Sequence, residues 1–172
     1  MQPLYNIVLV RVDNRLVHGQ LLEAWVPHLD ADCIIIVDDE VTGDVFRETV
    51  IRMAVPREVE VIVSGVDEFA GSFQFTKGAG KNTIVLFCNI ADAVRAFNLG
   101  FRFDKLNVGN VFTDQCALCC SRSVSLGRGD LDRIIGLLND SGVTVELRGV
   151  PSDKSADFRQ IIKMDAPLPM VI

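Results

Sequence analysis

Long apolar runs, an excess of basic charge and low-complexity segments are all missing from this chain. No apolar stretch approaches the roughly 20 residues needed to cross a bilayer. Met1–Val12 has no basic start followed by an apolar segment and a small-residue cleavage site. The expectation is a soluble chain without a signal peptide or direct membrane insertion, so any membrane link runs through another protein. Acidic residues outnumber basic ones, 23 to 17, for a formal net charge of −6. That balance argues against nucleic acid as a main partner, because phosphate backbones demand clustered Lys and Arg. It leaves room for a local basic pocket around one phosphate. The five cysteines are an odd number in a 172-residue chain that is long enough to fold without staples. They read as reduced thiols of a reducing, cytoplasmic compartment. No linker or repeat divides the chain, so one domain over residues 1–172 is expected.

What is present is a 49% apolar composition arranged as alternating short β-branched runs and longer amphipathic stretches. The strands read as Ile7–Val12, Cys33–Val37, Val59–Val63, Thr83–Phe87, Leu106–Val108, Ser123–Leu126 and Val143–Leu147. The helices read as Gln20–Val26, Val41–Met53, Val66–Phe73, Ile90–Leu99, Asp130–Asp140 and Ser155–Lys163, with Gly71–Asn82 as a loop. Continuous apolar strands joined by helices imply an α/β fold, a mostly parallel sheet with helices on both faces.

Ligands of open α/β sheets bind beyond the carboxyl ends of the strands. The segment leaving the first strand is unusual. Arg11, Asp13, Arg15 and His18 fall within eight residues, at a strand-to-helix turn. Arginine matches phosphate oxygens in pairs. A helix starting near Gly19 aims unpaired N–H groups at the same spot, and Gly19 lets backbone approach a ligand closely. His18 is the good nucleophile near neutral pH, and Asp13 is suited to orient its ring. From spacing alone, His18 reads equally as a helix cap or packed residue. Asp38, Asp39 and Glu40 read as a metal cluster or as caps and first-turn acids of a helix, the second being favoured for Asp39 and Glu40.

The stretch Arg11-Val12-Asp13-Asn14-Arg15-Leu16-Val17-His18-Gly19-Gln20 resembles the active-site motif of the IIB components of the mannose/sorbose family of the sugar phosphotransferase system. The resemblance continues through Ile35–Val41, Ala54-Val55-Pro56, Asn107-Val108-Gly109, Gly142–Leu147 and Val150–Asp153. It implies a three-layer α/β/α sandwich around a mainly parallel sheet. It also implies a phosphotransferase that takes a phosphoryl group from a IIA histidine onto His18 and passes it to a sugar entering through IIC and IID membrane partners. Carried over, the catalytic residues are His18, Asp13 and Arg15. The phosphate-binding candidates are Arg11, Arg15, Gly19, Gln20, Gly109 and Asn110. No cofactor or metal is expected, since arginines and amides can supply the positive charge. Two departures stand out. Asn14 replaces the commoner acid and is expected to matter little. Gly109-Asn110-Val111-Phe112 replaces a Gly-Gly-Met type loop.

Other features carry weaker readings. Cys116, Cys119 and Cys120 provide only three of the four ligands of a closed zinc site, and Cys33 and Cys88 read as core. Gly78–Thr83 lacks the spacing of a phosphate loop and reads as a surface loop. His28 reads as surface or cap, and Trp25 as packing. Two other functions remain open on sequence: a regulatory phosphocarrier of the same fold, and a small-anion-binding α/β domain. The sequence also leaves both ring nitrogens of His18 open as phosphate carriers.

Overall fold

The computed structural model describes residues 4–73 and 75–165. In chain order the elements are β1 (Tyr5–Asp13), α1 (residues 19–28), β2 (Cys33–Val37), α2 (Asp39–Thr42), α3 (Val45–Ala54), β3 (Glu60–Ser64), α4 (Val66–Ser72), β4 (Phe75–Thr76) and β5 (Lys81–Phe87). They continue as α5 (Ile90–Asn98), β6 (Lys105–Asn110), β7 (Leu118–Cys119), β8 (Ser125–Leu126), α6 (Arg128–Asp140), β9 (Thr144–Leu147), β10 (Ala156–Asp157) and α7 (Phe158–Asp165).

The main sheet runs β10-β9-β6-β1-β5-β2-β3, with β4 beside the start of β1. Its pairings are parallel except for β10 against β9. Alternate residues of the central strands feed two cores. Cys33, Ile35, Val37, Val85 and Phe87 join one core with α4, α5, α6 and α7. Ile34, Ile36, Ile84 and Leu86 join the other with α1 and α3. All five residues of β2 are buried, as expected of a strand covered on both faces. The three-layer α/β sandwich expected from the sequence is thus observed.

Chain punctuation sets where the helices start. Asp38, Asp44 and Asn89 each place a side-chain oxygen on an amide of the first turn, of Val41, Arg47 and Asp92 respectively, the usual N-cap device. The expected single helix Val41–Met53 is therefore two: Gly43 ends α2 and Asp44 starts α3. The first helix was expected to end near Pro27 but continues to His28. It widens into a π-helical stretch, Leu21–Trp25, just before the proline, where a standard turn would lack a donor and crowd the preceding carbonyl. The two-residue strands β4, β7 and β10 were not read from the sequence. Among the described residues, β7 pairs only with β8, as a small antiparallel hairpin off the main sheet.

Chain crossings position the candidate site. β1 and β6 are sheet neighbours. The helix after β1 packs on one face and the helix after β6 on the other. The chain therefore leaves these strand ends in opposite directions, and a crevice opens between them, the usual ligand position in doubly wound folds.

Candidate active site

The site is built on the last residues of β1 and the turn that follows. Leu16 N–H bonds the Asp13 carbonyl at 2.9 Å. Leu16 is 2% exposed and takes a positive φ of 55°, a costly conformation for a non-glycine residue. Burial of its side chain in the α1-side core holds it there. This turn folds the chain back, so that His18 returns over Asp13 and opens α1, its carbonyl accepting from Leu22 N–H.

Asp13 is the hub. Its side chain is fully buried, and its Oδ2 lies 2.9 Å from His18 Nε2 and 2.9 Å from Arg11 Nη2. Arg15 donates to Oδ1 from its backbone N–H at 3.0 Å and from Nε at 3.2 Å. Burial alone would raise the Asp13 pKa. The hydrogen bonds from His18 and Arg15 and the charge of Arg11 outweigh it and hold the carboxyl well below the usual range. An ionised Asp13 can only accept, so neutral His18 carries its proton on Nε2 and leaves the Nδ1 lone pair unprotonated. The His18 ring is 14% exposed and Arg15 is 42% exposed, which puts the histidine at the floor of the opening and the arginine on its rim.

The other sequence candidates fall into two groups. Gly19 is exposed at the start of α1 and Gln20 accepts from Arg15 Nη2 at 3.2 Å, so both stand at the rim. Arg11, Gly109 and Asn110 differ from expectation. Arg11 is fully buried and turns inward. Nη1 donates to Asn107 Oδ1 at 2.6 Å and to the Arg148 carbonyl at 3.0 Å, and the guanidinium sits 5.5 Å from the Trp25 ring centre. It is held beneath the carboxylate, with its guanidinium closed off from solvent. Gly109 and Asn110 lie inside β6, where a loop was expected. Gly109 is needed for space: a Cβ there would meet Arg11 Nη2 at 1.9 Å. Asn110 contributes its carbonyl to Asn14 N–H at 2.9 Å.

Asn14 matters more than its type suggested. It donates to the Cys88 carbonyl at 2.6 Å and accepts from Phe112 N–H at 2.7 Å, tying the ends of β1, β5 and β6 together. Asn107 and Glu146 were also missed. Both are buried polar residues centred in apolar strand runs, and in a parallel strand covered on both faces that pattern is itself the signal. Trp25 packs as expected, and its Nε1 also donates to the Gly149 carbonyl at 2.8 Å. His28 is exposed, in keeping with the surface reading. Asp38 caps α2, and Asp39 bonds Val66 N–H at the start of α4, so the acidic trio serves helix ends.

The reading of five reduced cysteines is corrected. Cys116 and Cys119 form a disulfide, their turn bringing the Cα atoms to 6.1 Å, within bridging range. Cys33 is core as expected, whereas Cys88 is half-buried beside Asn14. Burial pushes their thiols up to about 12 and about 11, with nearby carboxylates adding to the rise. Both stay protonated and poorly nucleophilic at neutral pH.

Fold and site together define a class: an α/β domain presenting a carboxylate-oriented histidine at a strand-to-helix turn. Residues 7–168 match the family of the PTS system sorbose subfamily IIB component. The chain is 35% identical over 158 residues to the PTS system fructose-specific EIIB component of Bacillus subtilis, covering 92% of this chain and 96% of that protein. It is 30% identical over 156 residues to the PTS system mannose-specific EIIAB component of Escherichia coli K12, covering 91% of this chain and 48% of that protein. The solved structure of manxB from Thermoanaerobacter tengcongensis superposes with a TM-score of 0.85 at 29% identity, covering 96% of this chain and all of that one. The chain belongs to the sorbose/mannose family of IIB components, the transferases of sugar phosphotransfer and uptake. Among the described residues, no helix is long and apolar enough to cross a membrane.

Proposed function

We propose that the chain, as one IIB domain over residues 1–172, is a cytoplasmic phosphocarrier that accepts a phosphoryl group on His18 Nδ1. The donor is the phosphohistidine of a IIA protein or domain, and the acceptor is a sugar entering through IIC and IID membrane components. The observation carrying this reading is the 2.9 Å contact between His18 Nε2 and the buried Asp13 carboxylate. It keeps the proton on one ring nitrogen and leaves the other as an unprotonated lone pair.

In the transfer, the Nδ1 lone pair attacks the donor's phosphorus in line. The donor's N–P bond breaks and its electron pair returns to the donor imidazole. The new N–P bond forms on His18, whose Nε2 proton stays against Asp13. Charge in such a loose transition state spreads over the equatorial oxygens, so alignment and fixed positive groups provide the catalysis. Arg15 and the free amides at the start of α1 are suited to hold those oxygens. Ionised Asp13 offsets the positive charge that grows on the imidazole.

The test is a phosphoenolpyruvate-driven relay ending in a phosphorylated IIA, read by intact mass at neutral and acid pH. Wild type should gain one phosphoryl group that acid removes, and His18→Ala should gain none. Arg15→Ala should accept about 100-fold more slowly, the typical loss on removing one preorganised donor. Full acceptance by His18→Ala, or none by wild type across several IIA partners, would reject the assignment.

A further inference from the structure

Asp13 is itself held by a chain of buried polar groups that runs away from the opening. Arg11 Nη2 bonds Asp13 at 2.9 Å, Arg11 Nη1 bonds Asn107 Oδ1 at 2.6 Å, and Asn107 Nδ2 bonds Glu146 Oε1 at 3.1 Å. Glu146 Oε2 accepts from Ser155 Oγ at 2.5 Å and pairs with Lys105 Nζ at 2.7 Å. These groups sit on three neighbouring parallel strands in register: Arg11 of β1 opposite Asn107 of β6, and Asn107 opposite Glu146 of β9. Arg11 and Asn107 are wholly buried and Glu146 is 3% exposed.

The chain has a direction set by chemistry. A carboxylate can only accept hydrogen bonds. Glu146 therefore draws the NH₂ end of the Asn107 amide toward itself, and the carbonyl end must face Arg11. Charges alternate along the row: Lys105 positive, Glu146 negative, Arg11 positive, Asp13 negative. Buried networks of this kind polarise one another, and a half-satisfied one is costly. Asn107 Nδ2 has two acceptors, Glu146 Oε1 at 3.1 Å and the Arg148 carbonyl at 3.3 Å. With glutamine at 146, the nearer one could donate as well as accept, and the Asn107 amide would be held in its orientation less firmly. Flipped, it would turn NH₂ against the Arg11 N–H, and the guanidinium would shift beneath Asp13.

We propose that Glu146 is a positioning residue for His18, acting through Asn107 and Arg11 to fix the Asp13 carboxylate against which the imidazole is aligned. The readout at the ring is the His18 tautomer, and the readout in transfer rests on the phosphocarrier reading above. Positioning affects the rate of the chemical step rather than donor affinity, and misplacements on the order of 1 Å from remote changes can cost about a hundredfold.

The experiment uses the full chain labelled with ¹⁵N-histidine, with long-range imidazole correlations recorded at alkaline pH. Exposed His28 is the internal control. Wild-type His18 should be the Nε2–H tautomer. In Glu146→Gln, His18 should move toward a mixture with the Nδ1–H form while His28 stays unchanged. kcat for acceptance from a phosphorylated IIA should fall about tenfold or more with KM for that donor unchanged. Glu146→Asp, which keeps the charge, should recover part of both. A folded Glu146→Gln with the wild-type tautomer and kcat, altered only in its melting temperature, overturns the proposal. If Glu146→Gln does not fold, Lys105→Met replaces it, since Lys105 is half-exposed. The same tautomer shift, smaller, is expected there, and its absence overturns the proposal. A tautomer shift in a protein that accepts no phosphate from any IIA would uphold the role of Glu146 and sink the phosphocarrier reading.

Discussion

One row of residues crosses the sheet from β3 to β9 on the α1 side: Val63, Ile36, Leu86, Arg11, Asn107 and Glu146, each opposite the next in register. Its first three members are aliphatic and its last three polar or charged. The division follows what covers each half. Ile36 and Leu86 lie in a core with side chains of α1 and α3, which present apolar groups and ask for no partners. Arg11 and Asn107 lie against the segment after β9, where the Arg148 carbonyl accepts from both, at 3.0 and 3.3 Å. Irregular backbone brings acceptors that a helix keeps to itself. A buried arginine is tolerable only where such acceptors exist, and that is the half of the row that adjoins His18.

The sharpest way to break this comparison is to cut one residue from each half. Arg11→Met takes one of several donors from buried Asp13 and the donor to buried Asn107 Oδ1, and should cost about 3–5 kcal/mol, as removal of one partner of a buried pair does. Leu86→Ala should cost about 2–5 kcal/mol through lost burial and a cavity. Chemical denaturation should find the two losses similar. Phosphoryl acceptance per folded molecule should drop only in Arg11→Met, because only that change unseats Asp13. Equal loss of acceptance in both variants would mean that the two halves do not differ in function.

A smaller effect sharpens the same point at the glycines. Gly109→Ala drives a Cβ into the Arg11 guanidinium, 1.9 Å from Nη2 and 2.0 Å from Cζ. Overpacking of this kind should destabilise by about 1–3 kcal/mol. Gly19→Ala meets nothing within 4 Å and should stay within about 0.5 kcal/mol of wild type. Thermal melts of the pair decide it. A neutral Gly109→Ala would show that Arg11 can move without penalty, and the tight seating of the polar half would be refuted.

Much of this was legible in the sequence, for reasons that can be named. β2 announced itself as five consecutive apolar residues. His18, Asp13 and Arg15 stood out because so many charged groups at one strand end are unusual. The short strands β4, β7 and β10 were not legible, since two residues carry no periodicity. The inward turn of Arg11 was not legible either: arginine in a loop motif suggests a ligand, and only the register with Asn107 and the missing Cβ of Gly109 show a buried slot. The role of Asn14 depends on loops more than 70 residues away in sequence, at Cys88 and Phe112, which no local pattern encodes.

The smallest expected effect distinguishes the halves by proton linkage. An aliphatic row has nothing to titrate, so Ile36 and Leu86 contribute alike at every pH. Asp13 and Glu146 do not. Burial opposes the ionisation of both. In Asp13, hydrogen bonds from His18 and Arg15 and the charge of Arg11 win. In Glu146, hydrogen bonds from Lys105, Ser155 and Asn107 win. Each carboxyl thus has a folded pKa below its unfolded value, which is about 3.9 for Asp and 4.3 for Glu. A depressed carboxyl contributes stability that is fully present above the unfolded pKa and is lost as pH falls through the folded one. Asp13→Asn removes that contribution at all pH values. The gap in melting temperature between wild type and Asp13→Asn should therefore be constant at neutral pH and begin to close as pH falls below about 4. Leu86→Ala should keep its gap over the same range. A wild-type to Asp13→Asn gap that holds its full width into strong acid would show that the carboxylate is not held ionised by its neighbours, and the geometry that fixes the Nε2 proton of His18 would lose its electrostatic basis.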